Sequence, residues 1–179
     1  MIMEKIALTG GIGTGKTFIS KQFIQQGIPV FYADDEAKKL YDSPQFLTLL
    51  RKSFGDAIFD GEVLNTKKLS SLVFNDGNAL KKLEAIIHPL VMDAFEAWAR
   101  AQGSDKVMME SAIIFEAHLA HYFDKVIVVN ASLPVRIRRI KQRNPEMSET
   151  EILARINAQM SQEEKCRLAD EVIEHDIDL

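Results

Sequence analysis

Short apolar runs alternate with longer segments of helical periodicity, and this alternation predicts strands separated by helices. Residues 5–9 (Lys-Ile-Ala-Leu-Thr) read as a buried strand running into Gly10. Residues 16–26 read as a helix with Phe18, Ile19 and Phe23 at apolar positions, ended by Gly27. Residues 28–32 give a second strand that leads to Ala33-Asp34-Asp35, so strand, glycine loop, helix and strand make one βαβ unit. Residues 106–109, 125–130 and 171–173 supply three further strands, with β-branched residues concentrated in the second of these. The order implies an α/β fold with a mostly parallel sheet covered on both faces, and ligands on such sheets bind beyond the carboxyl ends of the strands. Gly10, Asp34, Glu110 and Asn130 each lie just past a predicted strand end, so they are expected on one edge of the sheet.

Between residues 34 and 103 the pattern turns mainly helical. Short helices are expected at 36–41 and 45–54, with Pro44 opening the second and a loop following at 55–61. Helices at 65–74, 79–87 and 89–101 follow, divided at Asp76-Gly77-Asn78 and at His88-Pro89. So much helix exceeds a simple crossover and predicts an inserted helical subdomain, a natural place to bind a second substrate. After residue 130, Ser132 and Pro134 open a helix carrying Arg136, Arg138, Arg139, Lys141 and Arg143, which Asn144-Pro145 ends. Ser148-Glu149-Thr150-Glu151 has the form of a capping box and predicts a helix from 148 to about 165. The expected single domain, 1–179, thus divides into a core at about 1–33, 104–131 and 170–179, an insert at about 34–103 and a lid at about 138–165.

Composition narrows the class of protein. The 179 residues are 46 % apolar and 27 % charged, the balance of a globular domain. A net charge of −4 argues against a nucleic-acid partner, which calls for a strongly basic surface. Cys166 alone excludes an internal disulfide, and no Cys/His spacing suits zinc. The N-terminus lacks the pattern of a signal peptide, and no run reaches the ~18 apolar residues of a membrane span, so a cytoplasmic protein without a membrane partner is expected.

The strongest chemical signal is Gly10-Gly11-Ile12-Gly13-Thr14-Gly15-Lys16-Thr17, a Gly-x-x-x-x-Gly-Lys-Thr loop between a strand and a helix. Its glycines permit positive φ, which turns successive N–H groups inward as a nest for oxyanions, and the helix adds partial positive charge. Gly11, Ile12, Gly13, Thr14, Gly15, Lys16 and Thr17, with Phe18 next to them, are the expected ATP-binding residues; Lys16 reaches the β- and γ-phosphates and the Thr17 hydroxyl is the candidate Mg²⁺ ligand. Asp34 is either a base that takes a hydroxyl proton or, like Asp35, a helix cap. Glu110 is a candidate contact to Mg²⁺ or acceptor, and Glu116 is read as a helix residue that could serve the site. Arg136, Arg139 and Arg143 share a helix face, which is either a solvated basic face or a lid whose Arg139 and Arg143 grip phosphate oxygens. The motifs of a GTPase switch, Asp-x-x-Gly and Asn-Lys-x-Asp, are absent, which leaves a small-metabolite kinase ahead of a nucleotide-dependent switch.

Taken in order, residues 8–17, Gly27 with the strand to Ala33-Asp34, Ile87-His88-Pro89, Ile113-Ile114-Phe115-Glu116, Arg139-Ile140-Lys141-Gln142-Arg143, and Gln159 followed by Ala169-Asp170-Glu171-Val172-Ile173 resemble the dephospho-CoA kinase family over essentially the whole chain. The resemblance implies a P-loop kinase fold with a five-stranded parallel core, a helical CoA-binding insert and a lid. It further implies phosphorylation of the ribose 3′-hydroxyl of dephospho-CoA by ATP with Mg²⁺; a monomer is expected, with an oligomer left open. Asp34 then stands where the family has its base, with Lys16 and Arg139 as catalytic partners; Lys38, His88, Glu110 and Glu116 join Asp34 on the substrate side, and Arg143 contacts ATP. The chain departs from the family at Tyr32, where an aspartate is common, at Lys38 for arginine, at Ala112 for proline, and near His175 for an asparagine. It ends soon after the last strand, where family members tend to run on into a further helix.

Overall fold

The structure, a computed structural model, describes residues 3–177; the last two residues of the expected core segment 170–179 lie outside the described residues. The chain divides into two compact units: residues up to Tyr32 together with those from Ala99 on, and the intervening Ala33–Trp98.

Strand β1 (Glu4–Thr9) is buried from Ile6 onward and delivers the glycine loop to helix α1 (Lys16–Gln25), after which Gly27 turns at φ 87° toward β2 (Val30–Tyr32). Helix α2 (Ala33–Lys39) starts earlier than its periodicity predicts. Asp34 and Asp35 therefore sit inside its first turn rather than capping it, a favourable place for negative charge. Helix α3 (Pro44–Phe54) is capped by Ser43, whose hydroxyl accepts the Phe46 N–H.

The segment expected as a loop at 55–61 is more ordered than that. It holds a 3-10 turn at Asp56–Ile58 and then a small antiparallel hairpin of β3 (Phe59–Asp60) and β4 (Val63–Leu64). Gly61 turns this hairpin at φ 63°, and Arg51 holds it through the Gly61 carbonyl, Asp56 and the face of the Phe59 ring. Helix α4 (Thr66–Asn75), capped by Asn65, leads to α5 (Gly77–Ala101). Here the expected break at His88-Pro89 does not occur, because Pro89 lies inside one continuous helix. Proline there removes one backbone hydrogen bond, but Leu83, Val91, Met92 and Phe95 are buried on either side of it, and their packing holds the helix through the defect. Phe46, Leu50, Ile58, Phe59, Leu69 and Leu83 form the core of this second unit.

Strands β5 (Lys106–Glu110) and β6 (Lys125–Asn130) are followed by helix α6 (Leu133–Arg143). The single helix expected from 148 to about 165 is two: α7 (Glu149–Asn157), with the predicted capping box at Ser148, and α8 (Gln162–Leu168). Ser161 caps the second by accepting the Glu164 N–H at 3.2 Å, so a second Ser-x-x-Glu signal competes with helix continuation. Strand β7 (Glu171–Glu174) completes a five-stranded parallel sheet in the order β2-β5-β1-β6-β7. In its register Glu110 stands beside both Leu8 and Tyr32, and Asn130 beside Glu174, which sets the ends of β1, β5 and β6 on one edge. Ile6, Leu8, Ile19, Met108, Ile127 and Val129 pack the core beneath that edge, each side chain contributing about 1.5–3 kcal/mol by burial. No helix among the described residues is long and apolar enough to cross a membrane.

Candidate active site

The loop after β1 adopts the conformation its glycines permit. Gly13 and Gly15 lie at φ 83° and 95°, and Gly15 is the residue from which α1 starts. These positions are also crowded: a Cβ on Gly13 would meet the Arg136 backbone, and one on Gly15 the His175 ring. Lys16 Nζ folds back to donate to the Gly10 carbonyl at 2.9 Å and stands 3.8 Å from the Glu110 carboxylate. Thr17 and Phe18 are exposed in the first turn of α1.

The outer side of the loop is held by two arginines of α6 and by His175. Arg136 Nε donates to the Ile12 carbonyl at 3.0 Å. Arg139 donates to the carbonyls of Gly13 (3.3 Å), Thr14 (3.0 Å), His175 (2.9 Å) and Ile177. A peptide carbonyl and the N–H across the same bond point in opposite directions. Guanidinium groups that hold the carbonyls of Ile12 and Thr14 outward therefore aim the N–H groups of Gly13 and Gly15 inward. Arg139 is 7 % exposed and engaged with backbone, so it is placed as a support of the loop rather than on an open lid, whereas Arg143 is exposed at the end of α6. Burial lowers the Arg136 pKa from its usual value. His175 Nδ1 donates to the Thr14 carbonyl at 3.2 Å, and its ring stacks on Phe18 with centroids 5.1 Å apart.

Glu116 also stands apart from its expected place. It lies in a run of turns between β5 and β6, not in a helix, and its carboxylate pairs with Lys165 at 2.7 Å and accepts the Met160 N–H at 3.1 Å. Lys165 is fully buried and also donates to the Ala112 carbonyl. Arginines for this loop were findable in the spacing of 136 and 139, but nothing local to Gln159 or Gln162 reveals that their amides reach Ile12 and Gly11, some 150 residues away.

Asp34, Lys38 and His88 belong to the second unit. Asp34 is exposed two residues past β2, and exposed Lys38 pairs with Asp35 at 2.8 Å. His88 is half-buried in α5; burial lowers its pKa, with the nearby Glu84 carboxylate partly opposing the shift. A histidine whose folded pKa lies below its unfolded value binds fewer protons when folded, so its contribution to stability is intact above the unfolded pKa and is lost as pH falls below about 6.5. The Tm of the wild type is therefore expected to fall more between pH 7.5 and 5.5 than that of His88→Gln; equal falls would show that His88 does not carry this dependence.

A phosphate nest opening a helix, on the carboxyl edge of a five-stranded parallel sheet with a helical insert after the second strand, defines a phosphate-loop kinase fold. The family profile described as dephospho-CoA kinase matches residues 4–179. A dephospho-CoA kinase of Mesorhizobium japonicum is 39 % identical over 175 residues, 96 % of this chain and 87 % of its own. One of Bacteroides fragilis is 36 % identical over 174 residues, 96 % and 84 % of the two chains. A crystal structure from Thermus thermophilus superposes with a TM-score of 0.85 at 32 % identity, covering 97 % of this chain and 89 % of that one. The chain belongs to the dephospho-CoA kinase family.

Proposed function

We propose that this protein transfers the γ-phosphoryl group of ATP to the ribose 3′-hydroxyl of dephospho-CoA, giving coenzyme A and ADP. The observation that carries the reading is a formed phosphate nest within a chain that matches the family from residue 4 to 179. The inward N–H groups of Gly13 and Gly15, the start of α1 and the Lys16 ammonium would stabilise the β- and γ-phosphates as negative charge shifts toward the leaving ADP oxygen. The acceptor oxygen forms a bond to the γ-phosphorus, the bond to the β-phosphate oxygen breaks, and Asp34 takes the hydroxyl proton.

Among the described residues no three His, Cys, Asp or Glu side chains gather as a metal-ion ligand set. A Mg²⁺ that arrives with ATP needs only one or two protein oxygens. The exposed Thr17 hydroxyl at the start of α1 fits the role of ligand. Bound there, the ion would supply positive charge that offsets the charge of the phosphates. Lys38, His88 and Glu110 are assigned to the acceptor side and Arg143 to ATP. The ion pair of Glu116 and the backbone bonds of Arg139 support indirect roles for both, through the fold and the loop.

The direct test is incubation of the purified protein with ATP, Mg²⁺ and dephospho-CoA, followed by chromatography. Coenzyme A and ADP are expected in equal amounts. Folded protein that binds ATP but yields no coenzyme A would overturn the assignment.

A further inference from the structure

The hydrogen bonds around the first turn of the phosphate loop are arranged peptide by peptide. Across the Gly10–Gly11 bond, the Gly10 carbonyl accepts the Lys16 ammonium at 2.9 Å while the Gly11 N–H donates to Gln162 Oε1, also at 2.9 Å. Across the Gly11–Ile12 bond, the Gly11 carbonyl accepts the Thr14 hydroxyl at 2.9 Å while the Ile12 N–H donates to Gln159 Oε1 at 2.8 Å. A peptide unit is rigid and planar, so fixing one end fixes the direction of the other.

The Gln162 amide is itself fixed at both ends. Its Oε1 faces a donor, and its Nε2 donates to the Val129 carbonyl at 2.8 Å, near the end of β6. Reversing the amide would set donor against donor and acceptor against acceptor. Gln162 is the first residue of α8, whose next turn carries the buried Lys165 that pairs with Glu116. The amide is thus mounted on an anchored helix.

We infer that Gln162 is a positioning residue for Lys16, acting through the Gly10–Gly11 peptide, and that Gln159 holds the neighbouring peptide without acting on Lys16. Gln162 does not touch the nucleotide. It orients the carbonyl that receives the ammonium, so that Lys16 rests beside the phosphate nest before ATP arrives and does not lose free energy to reorganisation on binding. The inference rests on the phosphate-transfer reading only as far as ATP binding, and its test uses no acceptor, so the identity of the acceptor can fail without affecting it.

The experiment is a double-mutant cycle on ATP affinity, measured by calorimetry on the full chain. Gln162→Met is expected to weaken ATP binding by about tenfold, the effect of losing one oriented hydrogen bond. In a Lys16→Met background the same change should cost less than about twofold, because the group it positions is gone. Gln159→Met is the control: its loss should be similar in both backgrounds. If Gln162→Met weakens ATP binding equally with and without Lys16, or has no effect with Lys16 present, the inference is overturned. Should Gln162→Met fail to fold, Gln162→Asn, polar but too short to reach Gly11, replaces it in the same cycle with the same expected values.

Discussion

Asp34→Asn is expected to lower kcat by about two to four orders of magnitude, the range attributed to a positioned general base, while leaving ATP affinity within about twofold. The asymmetry comes from placement. Asparagine matches aspartate in size and hydrogen-bonds much as it does, but it cannot accept the hydroxyl proton. Asp34 is exposed in the first turn of α2 and makes none of the hydrogen bonds that hold the phosphate loop, so removing its charge leaves those bonds in place. The variant should also fold normally, since no packing is lost. Steady-state rates with dephospho-CoA, set beside calorimetric ATP affinities, check the expectation. Equal losses in kcat and in ATP binding would remove Asp34 from the role of base and make it a nucleotide contact.

The features legible in the sequence were those whose cause is local. The five sheet strands are readable because each is a short apolar run bounded by glycine, proline or a charged residue, and the phosphate loop because its spacing specifies a backbone conformation. The Ser148 capping box is equally local. The errors fell where distant packing overrides a local signal. Pro89 reads as a helix break, yet apolar residues on both sides keep α5 whole. The run from 148 to 165 keeps helical periodicity, and only the cap at Ser161 divides it. Arg139 sits on the predicted helix face, but the sequence could not say that this face meets the backbone of the loop rather than open solvent. Gln159 is marked only as a motif position and Gln162 not at all, because a glutamine has no preferred partner until the fold brings one to it. The conformation of the phosphate loop was therefore legible, and the contacts that support it were hidden.

Glu116→Ala should destabilise the protein by about 3–5 kcal/mol, because it leaves the Lys165 ammonium buried without its counter-charge. For a chain of this length that corresponds to a fall in Tm of roughly 10 °C. Lys165 keeps its bond to the Ala112 carbonyl, but a carbonyl dipole does not replace a carboxylate, and the Met160 N–H loses its acceptor as well. Glu116→Gln should cost less, since the amide oxygen can still accept from both. The double change Glu116→Leu with Lys165→Met is the informative case: removing both charges and filling the space with apolar atoms should recover most of the stability lost in Glu116→Ala. Thermal melts of the four proteins give the comparison. A substrate contact would behave differently, raising KM for dephospho-CoA with little change in Tm. That outcome would return Glu116 to the acceptor site and leave Lys165 needing another explanation for its burial. If the stability loss is seen, the Glu116–Lys165 pair is what anchors α8, and through α8 it anchors the Gln162 amide on the phosphate loop.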